Sequence, residues 1–201
     1  MIECLVGSEM CIRDRNNEEK IIKRLRHSAM SYLARYEVSI NQFEQTMKRK
    51  LSNFQDHLSE QEKMKIIDII KREMVSAKFI DDKRFAEIRV RSMRRQGSSQ
   101  RLIYAKLKEK GLSNDVIQFA IDVVDEGHEN AEMIAALRFI KKKNIGIYYK
   151  NKKIGNETNE YTLRDKWFGA LSRKGFSLEI IRKVINIKDI VNADLLLEDS
   201  I

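Results

Sequence analysis

The cationic side chains of this 201-residue chain fall in blocks. From Lys78 to Lys110 there are 11 Lys/Arg against four acids, Asp81, Asp82, Glu87 and Glu109. From Arg138 to Lys153 there are seven Lys/Arg and no acid, with Tyr148 and Tyr149 among them. Within the first block Arg84, Arg91 and Arg95 follow a seven-then-four spacing, which on a helix places them close to one face. Guanidinium groups so arranged fork onto phosphate or carboxylate oxygens. Arg89, Arg94, Arg101 and Lys106, with Lys141, Lys142 and Lys143 from the second block, complete the set of candidate contacts for a polyanion or an acidic partner. Charge runs are more often solvated helix surface, but each block carries +7 in a chain of net charge +9, and that concentration beyond the chain average tips the reading toward binding. The Tyr148–Tyr149 pair can stack nucleic-acid bases, although packing of a loop against a helix is the commoner use of such a pair.

Other chemistries find little support. Asp81 and Asp82 are adjacent carboxylates, which suggests a metal or an acid–base pair, but at a helix start they are more simply a cap. His27, His57 and His128 have no ligand-like spacing to one another or to an acid. The eight glycines stand singly, none before a Lys-Ser/Thr pair, so no phosphate loop is present. No serine has a nucleophile-elbow context. No catalytic, metal or cofactor residues are therefore assigned, and an enzyme is not expected. No run approaches the ~18 apolar residues of a membrane span, and no secretory signal pattern is visible, so a cytoplasmic, monomeric protein without a membrane partner is expected.

The elements that must position these residues read as helix after helix. Proline, which breaks helix interiors, is absent. Ile22, Leu25, Ala29, Tyr32 and Leu33 space a helix from about Glu19 to Tyr36. Phe43 and Met47 mark a second helix after Ser39. Ser59-Glu60-Gln61-Glu62 matches a capping box ahead of the stripe Ile66, Ile67, Ile70 and Met74. Asp81 or Asp82 caps a helix through Arg95, Gly97 stops it, and Ser98 or Ser99 opens the next. Gly111 ends that one and Ser113 caps another, with Val116, Ile117, Ala120, Ile121 and Val124 inward. A last group begins near Asn130, is interrupted by a polar loop at 146–159, and resumes at Tyr161.

Self-similarity organises the series. Leu107-Lys108-Glu109-Lys110-Gly111-Leu112-Ser113-Asn114-Asp115-Val116-Ile117 is echoed by Leu171-Ser172-Arg173-Lys174-Gly175-Phe176-Ser177-Leu178-Glu179-Ile180-Ile181. Both stretches run from helix end through C-cap glycine and Ser N-cap to an Ile-rich stripe. Ser39, Phe43 and Met47 align more loosely with Ser99, Ile103 and Leu107. Trp167 aligns with Ile103, a core position. The expected fold is all-α, tandem repeats of three-helix units forming an elongated, curved array. Its divisions are a leader at 1–15, repeats at 16–76, 77–128 and 129–188, and an acidic tail at 189–201 that either frays or folds back on a basic face. Glu9-Met10-Cys11-Ile12-Arg13-Asp14-Arg15 is encodable by a string resembling the transposon end used in sequencing libraries. The leader is accordingly read as artefactual or disordered, and Cys4 and Cys11 carry no disulfide or metal argument.

Phe79-Ile80-Asp81-Asp82-Lys83-Arg84-Phe85-Ala86, then Arg91, Gly97 and Leu107 through Gly111, resembles the middle repeat of the RecX family. Ala29-Met30-Ser31-Tyr32-Leu33-Ala34-Arg35 with Ser39 resembles its first repeat, and Lys174-Gly175-Phe176-Ser177 its third. The second helix of the first repeat departs from the family pattern, with Gln42-Phe43 and Thr46-Met47. The resemblance implies structural roles for Phe79, Asp81, Asp82, Phe85, Gly97, Gly111 and Gly175. It also implies a partner, the RecA filament, whose recombination, ATPase and coprotease activities such proteins restrain in DNA repair and SOS control. DNA is a further candidate contact through the basic faces. The alternative is a helix-turn-helix transcription factor built on the turn at Gly111. The acids Asp115, Asp122 and Asp125 on its second helix speak against that reading.

Overall fold

The computed structural model describes residues 6–54, 58–128, 130–149 and 160–198. Within them the chain forms ten α-helices, one 3-10 turn and no strand. The first three helices are α1 (Val6–Leu33), α2 (Ile40–Phe54) and α3 (Glu60–Ser76). Next come α4 (Asp82–Arg95), α5 (Gln100–Glu109) and α6 (Asn114–Asp125). Then follow α7 (Ala131–Lys143), the 3-10 turn Gly146–Tyr148, α8 (Glu160–Arg173), α9 (Leu178–Ile185) and α10 (Ile190–Glu198). The chain divides into two compact units, one ending at Phe85 and the other beginning at Ala86, so the division falls inside α4.

Several helix starts have a local cause. The Ser59 hydroxyl accepts from the Glu62 N–H while the Glu62 carboxylate accepts from the Ser59 N–H, the reciprocal box its sequence prescribes. Ser99, Ser113 and Ser177 accept from Leu102, Val116 and Ile180 in the same way. In unit 1 the two aspartates of the middle motif divide their work. Asp81 Oδ1 accepts from the N–H groups of Lys83 and Arg84, capping α4 itself. Asp82 Oδ1 instead accepts from Ile40 N at 2.8 Å, at the first residue of α2. The Asp82 carboxyl lies above the usual carboxylate range, because burial and the neighbouring Asp81 charge outweigh the Ile40 bond.

Unit 1 packs α1, α2 and α3 around Leu25, Ala29, Phe43, Met47, Leu51, Ile66, Ile70 and Ile80. In unit 2 a core of Ala135, Leu137, Ile140, Leu171, Ile181 and Val184 joins α7, α8 and α9, and Ala193 and Leu197 of α10 seal it. Three findings differ from the sequence reading. Helical backbone starts at Val6 rather than near Glu19. The interruption after α7 begins with an ordered 3-10 turn in which Tyr148 is buried. Phe79, given a structural role by the resemblance, is half exposed at 50%. Residues 1–5, 150–159 and 199–201, parts of the leader, loop and tail, lie outside the described residues, as does His57.

The turn between α4 and α5 shows why glycine is required there. Gly97 has φ +72, and a Cβ would lie 2.6 Å from Phe139 N and 2.8 Å from Ala135 O, both backbone atoms of α7. Gly127, at φ +76, has nothing within 4 Å. Gly127→Ala therefore meets only backbone strain, about 1 kcal/mol, whereas Gly97→Ala adds overpacking and costs about 2–5 kcal/mol. Urea unfolding of the two variants measures the difference, and equal losses would mean that the close approach of α7 carries no energy.

Candidate partner-docking interface

The cations singled out by spacing along α4 have different fates. Arg84 is engaged: Nε donates to Glu37 Oε1 at 2.9 Å and Nη1 to Lys78 O at 3.2 Å, bracing a turn where Lys78 adopts φ +57. Arg89, Arg91 and Arg95 are exposed, and the nearest acid to Arg91 is Glu87 at 3.9 Å. Arg94 is a correction to the sequence reading, which placed it among the partner contacts. It is 5% exposed and structural. Its Nε and Nη2 fork onto Asp125 at 3.0 and 2.5 Å, and Nη1 donates to Glu132 Oε2 at 2.7 Å and to Ser98 O at 3.2 Å. Burial disfavours the Arg94 charge, but the bonds to Asp125 and Glu132 outweigh it and hold its pKa above the ordinary value. Glu132 also accepts from Gln100 N at 3.1 Å, so one carboxylate joins Arg94 to the start of α5.

Beside this cluster in unit 2 opens a cleft of about 610 Å³, with Arg91, Arg94 and Arg95 from α4, His128 from the α6–α7 connection and Arg138 from α7. Val124, Ala131 and Ile134 supply apolar lining, and Asp125, already forked by Arg94, is its carboxylate. Arg138 sits half-buried with Nη1 3.5 Å from Arg94 O. Burial, then the like charges of Arg95 and Arg94, push its pKa below the ordinary guanidinium value. Cations held together against their own repulsion, over an apolar floor, suit an incoming carboxylate or phosphate that carries an apolar neighbour.

Arg138 and His128 were not assigned to the site from sequence. The signal for Arg138 was present, since it opens the acid-free block, but its approach to α4 depends on packing across 44 residues. Of the other candidates, Arg101 is exposed on α5, and Lys106 pairs with Glu109 at 2.9 Å. Lys142 and Lys143 are exposed at the end of α7, while Lys141 donates to Asp194 of α10 at 2.9 Å. The 189–198 segment thus folds back on α7 rather than fraying. Tyr148 OH joins the contact at 2.6 Å from Asp194 Oδ1, and Tyr149 lies 5.4 Å from Trp167, so both tyrosines pack as helix–loop contacts. Trp167 is only half-buried, unlike its aligned counterpart Ile103, which is fully buried. Gly175, at φ +84, abuts Ser99 Oγ, which donates to Lys174 O at 2.6 Å. Gly111, at φ +81, ends the α5 turn. Asp115 and Asp122 are exposed on α6, the surface a DNA-reading helix would present. Among the described residues no three His, Cys, Asp or Glu side chains gather as metal ligands, and no helix is long and apolar enough to cross a membrane.

The order of α1–α3, α4–α6 and α7–α9, with the glycine turn and Ser cap of α5–α6 repeated at α8–α9, is that of a tandem three-helix repeat protein. A family profile described as RecX, second three-helix domain, matches residues 81–121, which covers α4, α5 and most of α6. The chain is similar to a regulatory protein RecX of Myxococcus xanthus, with 29% identity over 164 residues, spanning 81% of this chain and 84% of that protein. It is also similar to a regulatory protein RecX of Agrobacterium fabrum, 35% identical over 108 residues, 54% of this chain and 52% of that one. The crystal structure of RecX from Lactobacillus salivarius shares the fold at a TM-score of 0.59 and 19% identity, covering 88% of this chain and 99% of that one. Together these likenesses support a RecX-type regulator, with the RecX second three-helix domain at residues 81–121.

The contrast between neighbouring arginines is measurable. Arg94→Met leaves Asp125 and Glu132 without their cation, and costs about 3–5 kcal/mol in urea unfolding. Arg95→Met, on exposed surface, changes stability by less than about 0.5 kcal/mol. The α10 contact responds to pH. Hydrogen bonds from Tyr148 and Lys141 hold the Asp194 carboxyl below its ordinary value of 3.8, while burial and then Asp194 hold the Tyr148 hydroxyl well above the usual tyrosine range. A depressed carboxyl stabilises fully above its unfolded value and loses that contribution as pH falls through the folded one. Amide protection at Ala193 should therefore drop as the medium is acidified below 3.8, and Asp194→Asn should flatten that dependence.

Proposed function

We propose that this RecX-type regulator docks on the RecA filament and restrains its strand exchange, ATPase and coprotease activities. In this reading the cleft of Arg91, Arg95 and Arg138 receives an acidic segment of the filament. The observation that carries the reading is the convergence of these guanidiniums on an apolar-lined cleft whose carboxylate, Asp125, is engaged by Arg94. A carboxylate from outside would offset the like charges of Arg95 and Arg94 that, after burial, lower the Arg138 pKa, and an adjacent apolar side chain would cover Val124 and Ile134. No step of this function requires bond chemistry. Docking alone is sufficient to block protomer movement or strand access on a filament.

Purified protein added to a RecA strand-exchange or ATPase reaction should inhibit at concentrations comparable to RecA. Arg91→Glu/Arg95→Glu/Arg138→Glu should raise the half-inhibitory concentration at least about tenfold, about 1.4 kcal/mol of docking energy. Its thermal transition should stay close to that of the parent chain. Inhibition unchanged by the triple variant would remove the cleft from the interface, and no inhibition by the parent chain would remove RecA.

A further inference from the structure

Unit 1 carries a second cationic feature, separate from the cleft and absent from the candidate residues of the sequence reading. Its acids are largely matched. Glu73 takes both Nε and Nη2 of Arg26 at 2.7 Å, Glu44 pairs with Lys71 at 2.9 Å, and Asp68 is shared by Lys71 and Arg72. Glu37 pairs with Arg84 and Glu60 with Lys63. These pairings leave out the cations along a groove of about 620 Å³ that α1 and the turn following it form with α2. Lys23 and Arg24 open it, Arg35 and Lys50 close it, and none of the four pairs with a described carboxylate. Lys50 and Arg35 are nevertheless held in place by neutral oxygens. Lys50 Nζ donates to Ser28 Oγ at 2.5 Å, and Arg35 Nε to Ser31 O at 3.1 Å.

The groove lining contains no acid and, apart from side-chain stems, consists of ammonium, guanidinium, hydroxyl and imidazole groups. Such a lining matches a phosphodiester backbone, which is anionic at every repeat and accepts hydrogen bonds without donating them. It suits an acidic protein segment less well, because no apolar residue like Val124, Ala131 or Ile134 of the unit 2 cleft lines it, its apolar surface being the stems of polar side chains. From Lys23 to the end of α1 at Leu33 the helical rise amounts to about 15 Å, long enough to follow two or three consecutive phosphates. Aromatic rings adjoin the same groove. Tyr32 and Tyr36 lie 5.4 Å apart, with Lys50 Nζ 5.8 Å above the Tyr32 ring and Arg35 5.9 Å above that of Tyr36. Tyr36 is 55% exposed and so presents ring surface to solvent. Cations beside an exposed ring combine backbone attraction with base stacking, the two elements of single-strand binding.

We infer that the α1–α2 groove is a single-stranded nucleic-acid site: Lys23, Arg24, Arg35 and Lys50 hold the phosphates, and Tyr36 offers its ring to a base. The site works on the isolated protein and requires no RecA, so its fate is independent of the docking cleft.

Fluorescence anisotropy of a short labelled oligothymidylate, titrated with the full chain in the absence of RecA, tests this directly. Binding should weaken with salt at a log–log slope of about −3, from four phosphate contacts at ~0.7 each. Lys23→Gln/Arg24→Gln should reduce the steepness by about 1.4 and weaken binding at least about tenfold at 0.1 M salt. Tyr36→Ala should weaken it at least about fivefold, the loss of one stacked base. Arg91→Glu/Arg95→Glu/Arg138→Glu should leave oligothymidylate binding within about twofold, since that cleft lies outside the groove. Three results would overturn the assignment: no binding by the folded chain at low salt, tighter binding of a duplex of equal length, or a Lys23→Gln/Arg24→Gln variant that melts normally and binds as before.

Discussion

The buried guanidinium of Arg94 organises much of unit 2. It takes two carboxylates, Asp125 at the end of α6 and Glu132 in the first turn of α7, and a backbone carbonyl at Ser98. An isolated charge at that depth would be prohibitive, so its partners must stay within hydrogen-bond distance. Such a network contributes little net stability over an apolar replacement, but it admits few arrangements of the helices that supply it. The end of α4, the end of α6 and the starts of α5 and α7 are thereby held in register. The same network sets the electrostatics outside. Because Asp125 is committed inward, the cleft shared by Arg91, Arg95 and Arg138 is lined by more cations than acids, and burial, then the like charges of Arg95 and Arg94, lower the Arg138 pKa.

Close backbone approach is the second constraint. At Gly97 the α4–α5 turn presses on the main chain of α7, and at Gly175 the α8–α9 turn presses on Ser99. Ser99 serves both sides of that contact, accepting from Leu102 N to cap α5 and donating to Lys174 O. A hydroxyl can do both because it carries a donor and two acceptor lone pairs. Asp81 and Asp82 show the same economy in unit 1, one carboxylate capping its own helix and its neighbour reaching Ile40 at the head of α2. The paired aspartates of the middle motif are therefore structural on two helices, and their adjacency needs no metal to explain it.

Allocation of acids decides which cations act on the surroundings. In unit 1, Glu73, Glu44, Asp68 and Glu37 neutralise Arg26, Lys71, Arg72 and Arg84, leaving the α1–α2 groove positive. In unit 2, Asp194 of α10 covers Lys141 while Lys142 and Lys143 stay exposed. A net charge of +9 is thus distributed as local fields and is not spread evenly.

Much of the architecture was legible before folding was considered. Helix starts at Ser59, Ser99, Ser113 and Ser177, stops at Gly97, Gly111 and Gly175, and the Ile66–Met74 stripe follow from hydrogen bonds and periodicities within a few residues of chain. The family motif from Phe79 to Gly111 was legible for the same reason, since it is largely capping and turn chemistry. The candidate site was only half legible. Arg94 and Arg95 are neighbours in sequence and identical in type, yet about 100° of helical rotation separates a buried clamp from a solvent-facing contact. The partners that decide between them lie 31 and 38 residues away, and Arg138 joins from 44. Likewise nothing local told that Lys50 would meet Ser28 across the α1–α2 groove or that Asp194 would close on Tyr148. The sequence by itself determined the helices, their ends and their repeat, because those are short-range matters. Tertiary structure alone decided which charges are matched and which remain for a partner, because electrostatic pairing depends on distance in space and not along the chain.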